Sequence, residues 1–574
     1  MFDRFKSRRS VVHSTKGLVA SSQPLANAAG IRVLEKGGNC VDAAVAVSAA
    51  LCVTEPPSTG IGGDCFVLFY EKDTKKVHGL NGCGKSPQYT SIDRVRKDIP
   101  TGARIPYESV HAVTVPGAVA GWLDAIELWG SGNVNIADIL QPAIELAEEG
   151  FPVSDISAHL WREASEKLVK QSGDNANMFV NEDGSFCEAG QVFRNVPLAR
   201  IFRLIAQYGK RGFYEGEVAD KIVSEIQSRG GFLEMEDLAN HTSKIVDPIC
   251  MDFEGKTLWE IPPNGQGIVA LLALGYIKEF IKRENIDLRD LGHNSTEYLN
   301  ILIEALKLAF YDSEHLVADT DFHKIDVERA LSTEYLSQRC KLLQSQRILT
   351  REHIDEVPNP MFKCDTVYFS VADKDGNACS FINSVFSSFG SGIIPEGCGF
   401  ALQSRGANFN LTENAVNCLE GGKRPFHTII PSLITETENG ELFASVACMG
   451  GWQQPQAHVQ IMLNMTVFGF NPQEALDAPR FCLEPNEEYR HLDRGFGSSG
   501  PISTPATLVN LEDGISPDVA EALADKGHVV KIVSGYDRSI FGRGQCILNN
   551  STNEQIVWSG GSDQRGDGAA VPQL

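Results

Sequence analysis

The chain has 574 residues and a formal net charge of −23 at pH 7. This acidic balance excludes nucleic acid and anionic membrane surfaces as expected partners, because both would be repelled electrostatically. The length is several times that of a domain of about 100–200 residues, so the chain forms either one large layered unit or two to four smaller ones.

The cysteines give no sign of a metal site. All 14 are scattered between Cys40 and Cys546 without a C-x-x-C pair, so zinc is not expected. The N-terminal segment MFDRFKSRRSVVHSTKG lacks the apolar region of a signal peptide. The apolar run at 40–53 is too short for a membrane span and contains Asp42. We therefore expect a cytoplasmic protein with free thiols, with mitochondrial targeting by the basic N-terminus as the alternative.

The first predicted elements lie within residues 18–71. GLVASS has the character of a strand, and two helices follow it, separated by a Gly-Gly-Asn break, the second beginning at Val41. The glycine-rich loop STGIGGD at 58–64 then leads into the predicted strand CFVLFYE.

The next segment, GLNGCGKS at 79–86, fits the phosphate-binding pattern G-x-x-x-x-G-K-[ST]. Such a loop follows an apolar strand and opens a helix whose amides face the phosphates. Here the charged stretch EKDTKKVH precedes the loop, and Pro87 with a polar, β-leaning run follows it. The context therefore argues against a nucleotide site, which stays only as a distant alternative.

The remaining pattern changes character at the middle of the chain. Apolar residues at helical spacing predict helices at 137–150, 198–208, 218–229, 266–283 and 296–318. Residues 341–363 are charged and then proline-rich, which predicts a surface linker ending at Cys364. Residues 366–386 alternate around a DG turn and predict a β-hairpin. Helices combined with such hairpins predict an α+β fold with helical layers covering antiparallel sheets.

Several segments, in order along most of the chain, resemble the signatures of one family. They are GGNCVDAAVAVSAALCVTEPPSTGIGGD (37–64), VTVPGAVAGW (113–122), QPAIELAEEGFPV (141–153), FSVADKDGN (369–377), FGSGIIPEGCGFAL (389–402), GKRP (422–425), ALDAPRF (475–481) and SDQRGDGAAV (562–571). The chain is similar in these to the γ-glutamyltransferase family of N-terminal-nucleophile hydrolases. The resemblance implies a four-layer αββα sandwich, no metal and no cofactor.

The resemblance also implies self-cleavage. The register with FSVADKDGN places the cut between Asp365 and Thr366, which gives a large subunit, 1–365, and a small subunit, 366–574, that together form one core and a heterodimer. A threonine hydroxyl needs a base to become a nucleophile. The new α-amino group of Thr366, with an ordinary pKa of about 7.7–8.0, can act as that base.

Further site residues are carried over from the resemblance. The backbone amides of Gly450 and Gly451 in ACMGGWQQ correspond to the donors that stabilise the oxyanion, where glycine permits close approach. Ser384 keeps a hydroxyl where the family has one oriented toward the amine of the nucleophile.

The donor-binding positions depart from the family. Cys83 stands where a γ-glutamyl enzyme has the arginine that binds the α-carboxylate, and Asn408 stands where it has the acid that binds the α-ammonium. Losing both removes a cation and an anion together, so a zwitterionic γ-glutamyl head should bind poorly.

Other cations are available in the same segments. Arg405 replaces a glutamine of the family, Lys85 lies two residues after Cys83, and His427 with Thr428 replaces a tandem serine pair. Arg405, with Lys85 or His427 as further candidates, would suit a donor that has a carboxylate but no α-amine. This resembles the outlying branches of the family, the oxamate amidohydrolases and the glutaryl-cephalosporin type acylases.

The leading interpretation is a self-processing threonine amidohydrolase or acyltransferase that cleaves a small amide through a Thr366 acyl-enzyme. One alternative is a true γ-glutamyltransferase acting on glutathione with a rebuilt clamp. Another, from a different class, is an inactive homologue that serves as a binding protein, which the intact Thr366, Gly450 and Gly451 disfavour.

Overall fold

A computed structural model of the chain describes residues 9–181, 183–345, 347–349, 364–485, 507–552 and 555–574. Of the predicted linker at 341–363, residue 346 and residues 350–363 lie outside these ranges. The helices are α1 (Pro24–Glu35), α2 (Cys40–Thr54), α3 (Ile92–Val95), α4 (Ala118–Trp129), α5 (Ile136–Glu149), α6 (Asp155–Ser172), α7 (Val196–Tyr208), α8 (Arg211–Tyr214), α9 (Gly216–Ser228), α10 (Met235–Ala239), α11 (Gly267–Glu284), α12 (Leu288–Leu291), α13 (Thr296–Ser313), α14 (Val327–Ala330), α15 (Thr333–Cys340), α16 (Gln453–Thr466), α17 (Pro472–Asp477) and α18 (Pro517–Asp525).

The strands are β1 (Val12–Ser14), β2 (Leu18–Ser21), β3 (Asp64–Glu71), β4 (Lys76–Gly82), β5 (Phe151–Pro152), β6 (Val192–Phe193), β7 (Lys244–Val246), β8 (Ile249–Phe253), β9 (Lys256–Glu260), β10 (Cys364–Ala372), β11 (Ala378–Ser387), β12 (Ser432–Glu436), β13 (Leu442–Met449), β14 (Phe481–Pro485), β15 (Thr507–Glu512), β16 (Val529–Val533), β17 (Arg543–Asn549), β18 (Trp558–Ser562) and β19 (Ala569–Pro572).

Two seven-stranded antiparallel sheets dominate the described residues. We call the sheet with order β19-β2-β10-β11-β3-β4-β7 the Thr366 sheet, and the sheet with order β1-β18-β17-β13-β12-β9-β8 the glycine-loop sheet. Smaller sheets join β14, β15 and β16, and β5 with β6. The mixed fold with antiparallel sheets that the sequence predicted is confirmed.

The two large sheets pack face to face, and helices cover their other faces. Tyr368 of the Thr366 sheet shares an apolar cluster with Leu433 and Ile547 of the glycine-loop sheet. Helices α1, α2, α4 and α5 pack with the Thr366 sheet in a second cluster. Helices α11, α13 and α16 pack with the glycine-loop sheet in a third.

The alternation of side chains along β10 determines on which face of the sheet the Thr366 side chain lies. Val367 and Phe369 belong to the helix-side cluster, whereas Tyr368 belongs to the cluster between the sheets. Side chains of a strand point alternately to its two faces. Thr366 therefore shares the face of Tyr368, which looks toward the glycine-loop sheet.

Helix α2 packs against β10 on the face opposite to Thr366. Asn39 caps it by accepting the N–H groups of Val41 and Asp42, and Asp42 accepts the N–H of Asn39 in return, which completes a capping box. Every residue of α2 is buried. A helix that is apolar on all sides belongs in a protein interior, as here against β10 and β11.

Most predicted elements of the first half correspond to observed ones. The five helices predicted by periodicity are α5, α7, α9, α11 and α13, although α13 ends at Ser313 rather than at 318. The predicted hairpin at 366–386 is β10 and β11. Helices α4, α6 and α16 were not predicted. No helix among the described residues is long and apolar enough to cross a membrane.

The segment that matched the phosphate-binding pattern is not a phosphate loop. Its first half is β4, which pairs antiparallel with β3 and β7. The Gly84 N–H donates to the Asp64 carboxylate at 2.9 Å, and the Ser86 N–H donates to the Lys423 carbonyl at 2.8 Å. These amides are therefore engaged within the protein, and a turn at residues 88–89 follows where a phosphate-binding helix would begin.

Candidate active site

Thr366 lies at an irregularity between β10 and β11. The register of the pair shifts there, so that Ser384 and Val385 of β11 together lie opposite Thr366. Phe386, the next residue, has φ +82, which is uncommon for a residue other than glycine. Such bulges redirect side chains. The Thr366 side chain is buried, with 1% of the residue exposed.

A chain of polar contacts begins at the Thr366 hydroxyl. Its Oγ1 lies 3.0 Å from Ser384 Oγ, and Arg405 Nη2 donates to the same Ser384 oxygen at 3.1 Å. The other guanidinium nitrogen, Nη1, donates to Thr428 Oγ1 at 2.8 Å. Arg405 is fully buried, and its guanidinium carbon lies 4.1 Å from the centre of the Phe386 ring. Four residues singled out from the sequence thus meet at one point.

The loop after β13 contains the predicted oxyanion donors. Gly450 has φ +134 and Gly451 has φ +58, conformations that residues with a Cβ rarely adopt. Neither N–H donates a backbone hydrogen bond to a described residue. The loop runs directly into the N-terminus of α16, where the helix dipole favours negative charge.

Gln266 connects this glycine loop to Thr428, the last residue in the series of polar contacts that begins at Thr366. Its Nε2 donates to the Thr428 carbonyl at 2.6 Å and to the Gly451 carbonyl at 2.8 Å. The side chain is fully buried and lies at the start of α11. It therefore fixes Thr428 and Gly451 relative to each other, a role that sequence reasoning missed because nothing local marks this glutamine.

Asp64 is a buried anion at the end of the STGIGGD loop. Its Oδ1 accepts the N–H groups of Gly84 and Gly117 at 2.9 and 3.1 Å and Nε2 of Gln403 at 2.9 Å. Its Oδ2 lies 3.1 Å from His427 Nε2. Burial opposes ionisation, but His427 and these donors hold the pKa of Asp64 below its ordinary value. Asp64 is the last residue of the family signature at 37–64, and the presence of an acidic residue in that signature was the sequence signal that could have identified it as a site residue.

His427 faces Asp64 and is neutral. The Ile429 N–H donates to its Nδ1 at 3.3 Å, so the ring proton is on Nε2 and points to Asp64. Burial, and then the nearby charge of Arg405, lower the pKa of His427 to about 4. This lowered pKa disfavours a charged His427, so Arg405 is the better candidate for the cation, and a role of His427 in binding the donor stays a prediction.

Cys83 lies beside Asp64 and His427. The potential ligand atoms of Asp64, Cys83 and His427 lie within 4.8 Å of one another, a convergence that the sequence did not predict. Asn264 donates to Cys83 Sγ at 3.4 Å, and burial raises the pKa of the thiol well above its ordinary value. Asp64 and His427 are hydrogen-bonded to each other, and the Cys83 thiol donates to the Gly84 carbonyl at 3.2 Å and accepts from Asn264, so each of the three side chains has a partner within the protein.

Two other residues predicted from the sequence, Asn408 and Lys85, lie outside the series of contacts that joins Thr366 to Thr428. Asn408 is buried, donates to the Phe426 carbonyl at 2.9 Å and lines a small cavity of about 30 Å³ with Trp452. Lys85 is half-buried, and its charge acts on the buried His241. The structure thus brings Thr366, Ser384, Arg405 and Thr428 together and leaves Asn408 and Lys85 outside that chain.

The comparisons with known proteins agree with the resemblance. The sequence model of the gamma-glutamyltranspeptidase family matches residues 26–573. This chain belongs to that family. The glutathione hydrolase-like YwrD proenzyme of Bacillus subtilis is 36% identical over 98% of this chain and 99% of the relative. The oxamate amidohydrolase proenzyme of Klebsiella pneumoniae is 28% identical over 97% of this chain and 98% of the relative.

A solved structure supports the same assignment. The crystal structure of a cephalosporin acylase from Bacillus halodurans has 38% sequence identity and a TM-score of 0.85, covering 99% of this chain and 98% of that one. The chain is therefore an enzyme of the N-terminal-nucleophile hydrolase type, among relatives that are named as hydrolases, amidohydrolases and acylases.

Proposed function

We propose that this protein is a self-processing threonine amidohydrolase that cleaves a small amide, or transfers its acyl group, through an ester on Thr366. The observation that supports this most is the set of contacts from the Thr366 hydroxyl through Ser384 and Arg405 to Thr428, which Gln266 then joins to the glycine loop. A nucleophile, a cation and two amides free to bind an oxyanion are the groups that such a reaction requires.

Maturation begins with the intact chain. The Thr366 hydroxyl oxygen attacks the Asp365 carbonyl carbon, the peptide C–N bond breaks, and the hydroxyl proton passes to the departing nitrogen. Water then hydrolyses the resulting ester. The products are a carboxylate at Asp365 and a free α-amine at Thr366, which is the base that the hydroxyl previously lacked.

Turnover repeats this chemistry on a substrate. The α-amine takes the Thr366 hydroxyl proton as Oγ1 attacks the amide carbonyl. The developing oxyanion accepts hydrogen bonds from the N–H groups of Gly450 and Gly451, which are worth about 3–4 kcal/mol per donor removed in comparable sites. The amine leaves with the proton, and water or an acceptor amine then releases the acyl group from Thr366.

The proposed donor carries a carboxylate and no α-amine. Arg405 supplies a buried cation beside Ser384, whereas the two positions of the γ-glutamyl clamp hold the neutral side chains of Cys83 and Asn408. The relatives named for oxamate and cephalosporin substrates also favour amides other than glutathione. A glutaryl or oxamate-type amide suits these residues better than a zwitterionic head.

We further propose that the fragments 1–365 and 366–574 remain together as a heterodimer. In the Thr366 sheet, β10 and β11 lie between β2 and β3 of the other fragment, and in the glycine-loop sheet β12 pairs with β9. Separation would break both sheets and their shared core. The resulting layers would be the αββα sandwich expected from the resemblance.

Mass spectrometry of the purified protein tests the mechanism. We expect two fragments, the second beginning Thr-Val-Tyr, that elute together in size-exclusion chromatography. Thr366→Ala should remain one inactive chain, and Thr366→Ser, which keeps a hydroxyl, should still cleave. A different new N-terminus, or an uncut chain that turns over substrate, would contradict the proposal.

A further inference from the structure

The two glycines proposed to bind the oxyanion lack the hydrogen bonds that fix an ordinary strand. The N–H groups of Gly450 and Gly451 donate to no backbone carbonyl of a described residue, and both residues have positive φ. Glycine restricts the backbone least, so the loop keeps one conformation only if the residues on either side are held. The direction of the two N–H groups therefore depends on contacts outside the loop.

The end of the loop is held by a residue already described. Gln266, which precedes α11, donates to the Gly451 carbonyl at 2.8 Å. The beginning of the loop needs another partner, because the pairing of β13 with β12 stops short of it. That pairing ends at Leu433 and Ser445, three residues before Cys448.

His458 of α16 holds the beginning of the loop. Its Nε2 accepts the backbone N–H of Cys448 at 3.2 Å, two residues before Gly450. A backbone N–H can only donate, so Nε2 carries no proton and the ring proton is on Nδ1. The His458 side chain is fully buried, so bulk water does not reach this contact.

Glu260, the last residue of β9, fixes the orientation of that ring. Its Oε1 accepts the Nδ1–H of His458 at 2.6 Å, and its side chain is fully buried as well. The carboxyl group packs against the first turn of α11, where a Cβ on Gly267 would lie 3.1 Å from Oε2. Burial raises the pKa of Glu260, and Oε1 can accept this hydrogen bond in the acid and in the anion.

One short segment thus holds both ends of the glycine loop. Glu260 acts at the beginning through His458, and Gln266 acts at the end. Residues 260–266 belong to the proposed fragment 1–365, whereas the loop and α16 belong to the fragment 366–574. The position of the loop therefore depends on contacts between the two fragments.

Another buried side chain of α16 provides a comparison. Gln460 accepts the backbone N–H of Phe481 at 2.9 Å and is also buried. It resembles His458 in accepting a backbone N–H, but its partner is the first residue of β14 and not the strand that leads into the glycine loop.

We propose that His458 and Glu260 are positioning residues for the oxyanion-binding loop. Glu260 fixes the His458 ring, and the ring holds the Cys448 N–H. This contact directs the N–H groups of the glycine loop toward the carbonyl oxygen of the substrate, which neither side chain touches. The inference rests on the proposed function, because it takes the glycine loop as the site of the oxyanion.

Turnover of glutaryl 4-nitroanilide by the cleaved protein tests the role of His458. His458→Leu removes the acceptor of the Cys448 N–H, and a displacement of about 1 Å near the reacting atoms can cost about 100-fold in rate. We expect kcat to fall by about 10- to 100-fold and KM to change by less than about threefold, because oxyanion contacts form in the transition state. His458→Gln keeps an acceptor oxygen at a similar reach and should recover most of the lost kcat.

Gln460→Leu is the matched control, since it removes a buried acceptor of a backbone N–H from the same helix. Its kcat should stay close to that of the unchanged protein. Equal losses of kcat in His458→Leu and Gln460→Leu, or a His458→Gln protein as slow as His458→Leu, would overturn the inference. If His458→Leu does not cleave itself, Glu260→Leu takes its place in the same comparison.

The proton on the His458 ring gives a readout that does not depend on turnover. 15N NMR of protein labelled only in histidine should show Nδ1 protonated and Nε2 unprotonated, with the His458 signals assigned by their loss in His458→Gln. A charged ring, or one protonated on Nε2, would overturn the inference and leave the Thr366 mechanism intact. Cleaved protein that hydrolyses no donor would instead refute the proposed reaction, and the role of His458 with it.

Discussion

Arg405 provides the sharpest test of donor recognition. Its guanidinium is fully buried and donates to Ser384 and Thr428 at 3.1 and 2.8 Å, on the face of β10 that carries Thr366. We expect Arg405→Ala to weaken binding of a donor carboxylate, because Thr428 and Ser384 cannot replace the lost cation. Arg405→Lys should retain part of the effect, since an ammonium lacks the planar fork.

The magnitude follows from the contact that is removed. A hydrogen bond between a guanidinium and a carboxylate contributes about 1.5–3 kcal/mol, which corresponds to roughly 10- to 150-fold in an equilibrium constant. Arg405 also supports Ser384 and lies over Phe386, so kcat should fall with every donor. Only the part of the lost activity that depends on the donor's carboxylate measures recognition of that carboxylate by Arg405.

Two donors isolate that part. Glutaryl 4-nitroanilide and pentanoyl 4-nitroanilide differ by a terminal carboxylate against a methyl group. The ratio of their kcat/KM values should fall by about 10- to 150-fold in Arg405→Ala, mainly through KM. Arg203→Ala, an exposed arginine of α7, is the control and should leave the ratio unchanged. A change smaller than threefold in the properly cleaved Arg405→Ala protein would refute Arg405 as the carboxylate-binding residue.

Three further predictions concern specificity, metals and acid. A glutaryl amide should react at least as well as its γ-glutamyl counterpart, because Cys83 and Asn408 provide no charged clamp; a preference for the γ-glutamyl donor above about tenfold in kcat/KM, or roughly 1.4 kcal/mol, would favour a true γ-glutamyltransferase. Turnover should survive EDTA, since the atoms of Asp64 and His427 are hydrogen-bonded within the protein, and loss that zinc or magnesium restores would reveal a missed site. Burial lowers the pKa of His427 and of His241 to about 4, so the neutral forms stabilise the fold above pH 6.5 and that stability should decline as the pH falls toward 4. Thermal unfolding midpoints at pH 7.5, 5.5 and 4.5 check this, and a midpoint that rises in acid would contradict it.

The departures from the family have a structural consequence that the sequence alone did not show. Replacing Cys83 by arginine and Asn408 by aspartate would restore, in sequence, the two charged residues with which a γ-glutamyl enzyme binds the α-carboxylate and α-ammonium of its donor. Cys83, however, is fully buried against Asp64, His427 and Asn264, so an arginine there would require the surrounding side chains to move. Changing Asn408 alone is the milder perturbation in volume, because aspartate has the size of asparagine, although it removes the hydrogen bond that the Asn408 amide donates to the Phe426 carbonyl.

Local patterns in the sequence determined the elements and their order. The alternation of residues 366–386 specified the hairpin that begins near Thr366, because period-two patterns and a DG turn act over a few residues. The ordered motifs identified the family, and the charged context of residues 79–86 argued correctly against a phosphate loop. These features depend on neighbours in the chain, which a single sequence shows directly.

Only the tertiary structure decided which distant residues act together. Gln266 joins Thr428 to Gly451, although no local signal relates these residues. The neutral state of His427 was likewise missed, because a pKa depends on burial and on charges that packing brings close. The sequence determined the candidate nucleophile and the family. Sheet register and packing determined the surroundings of Thr366, because contacts between residues far apart in the chain exist only after the layers have assembled.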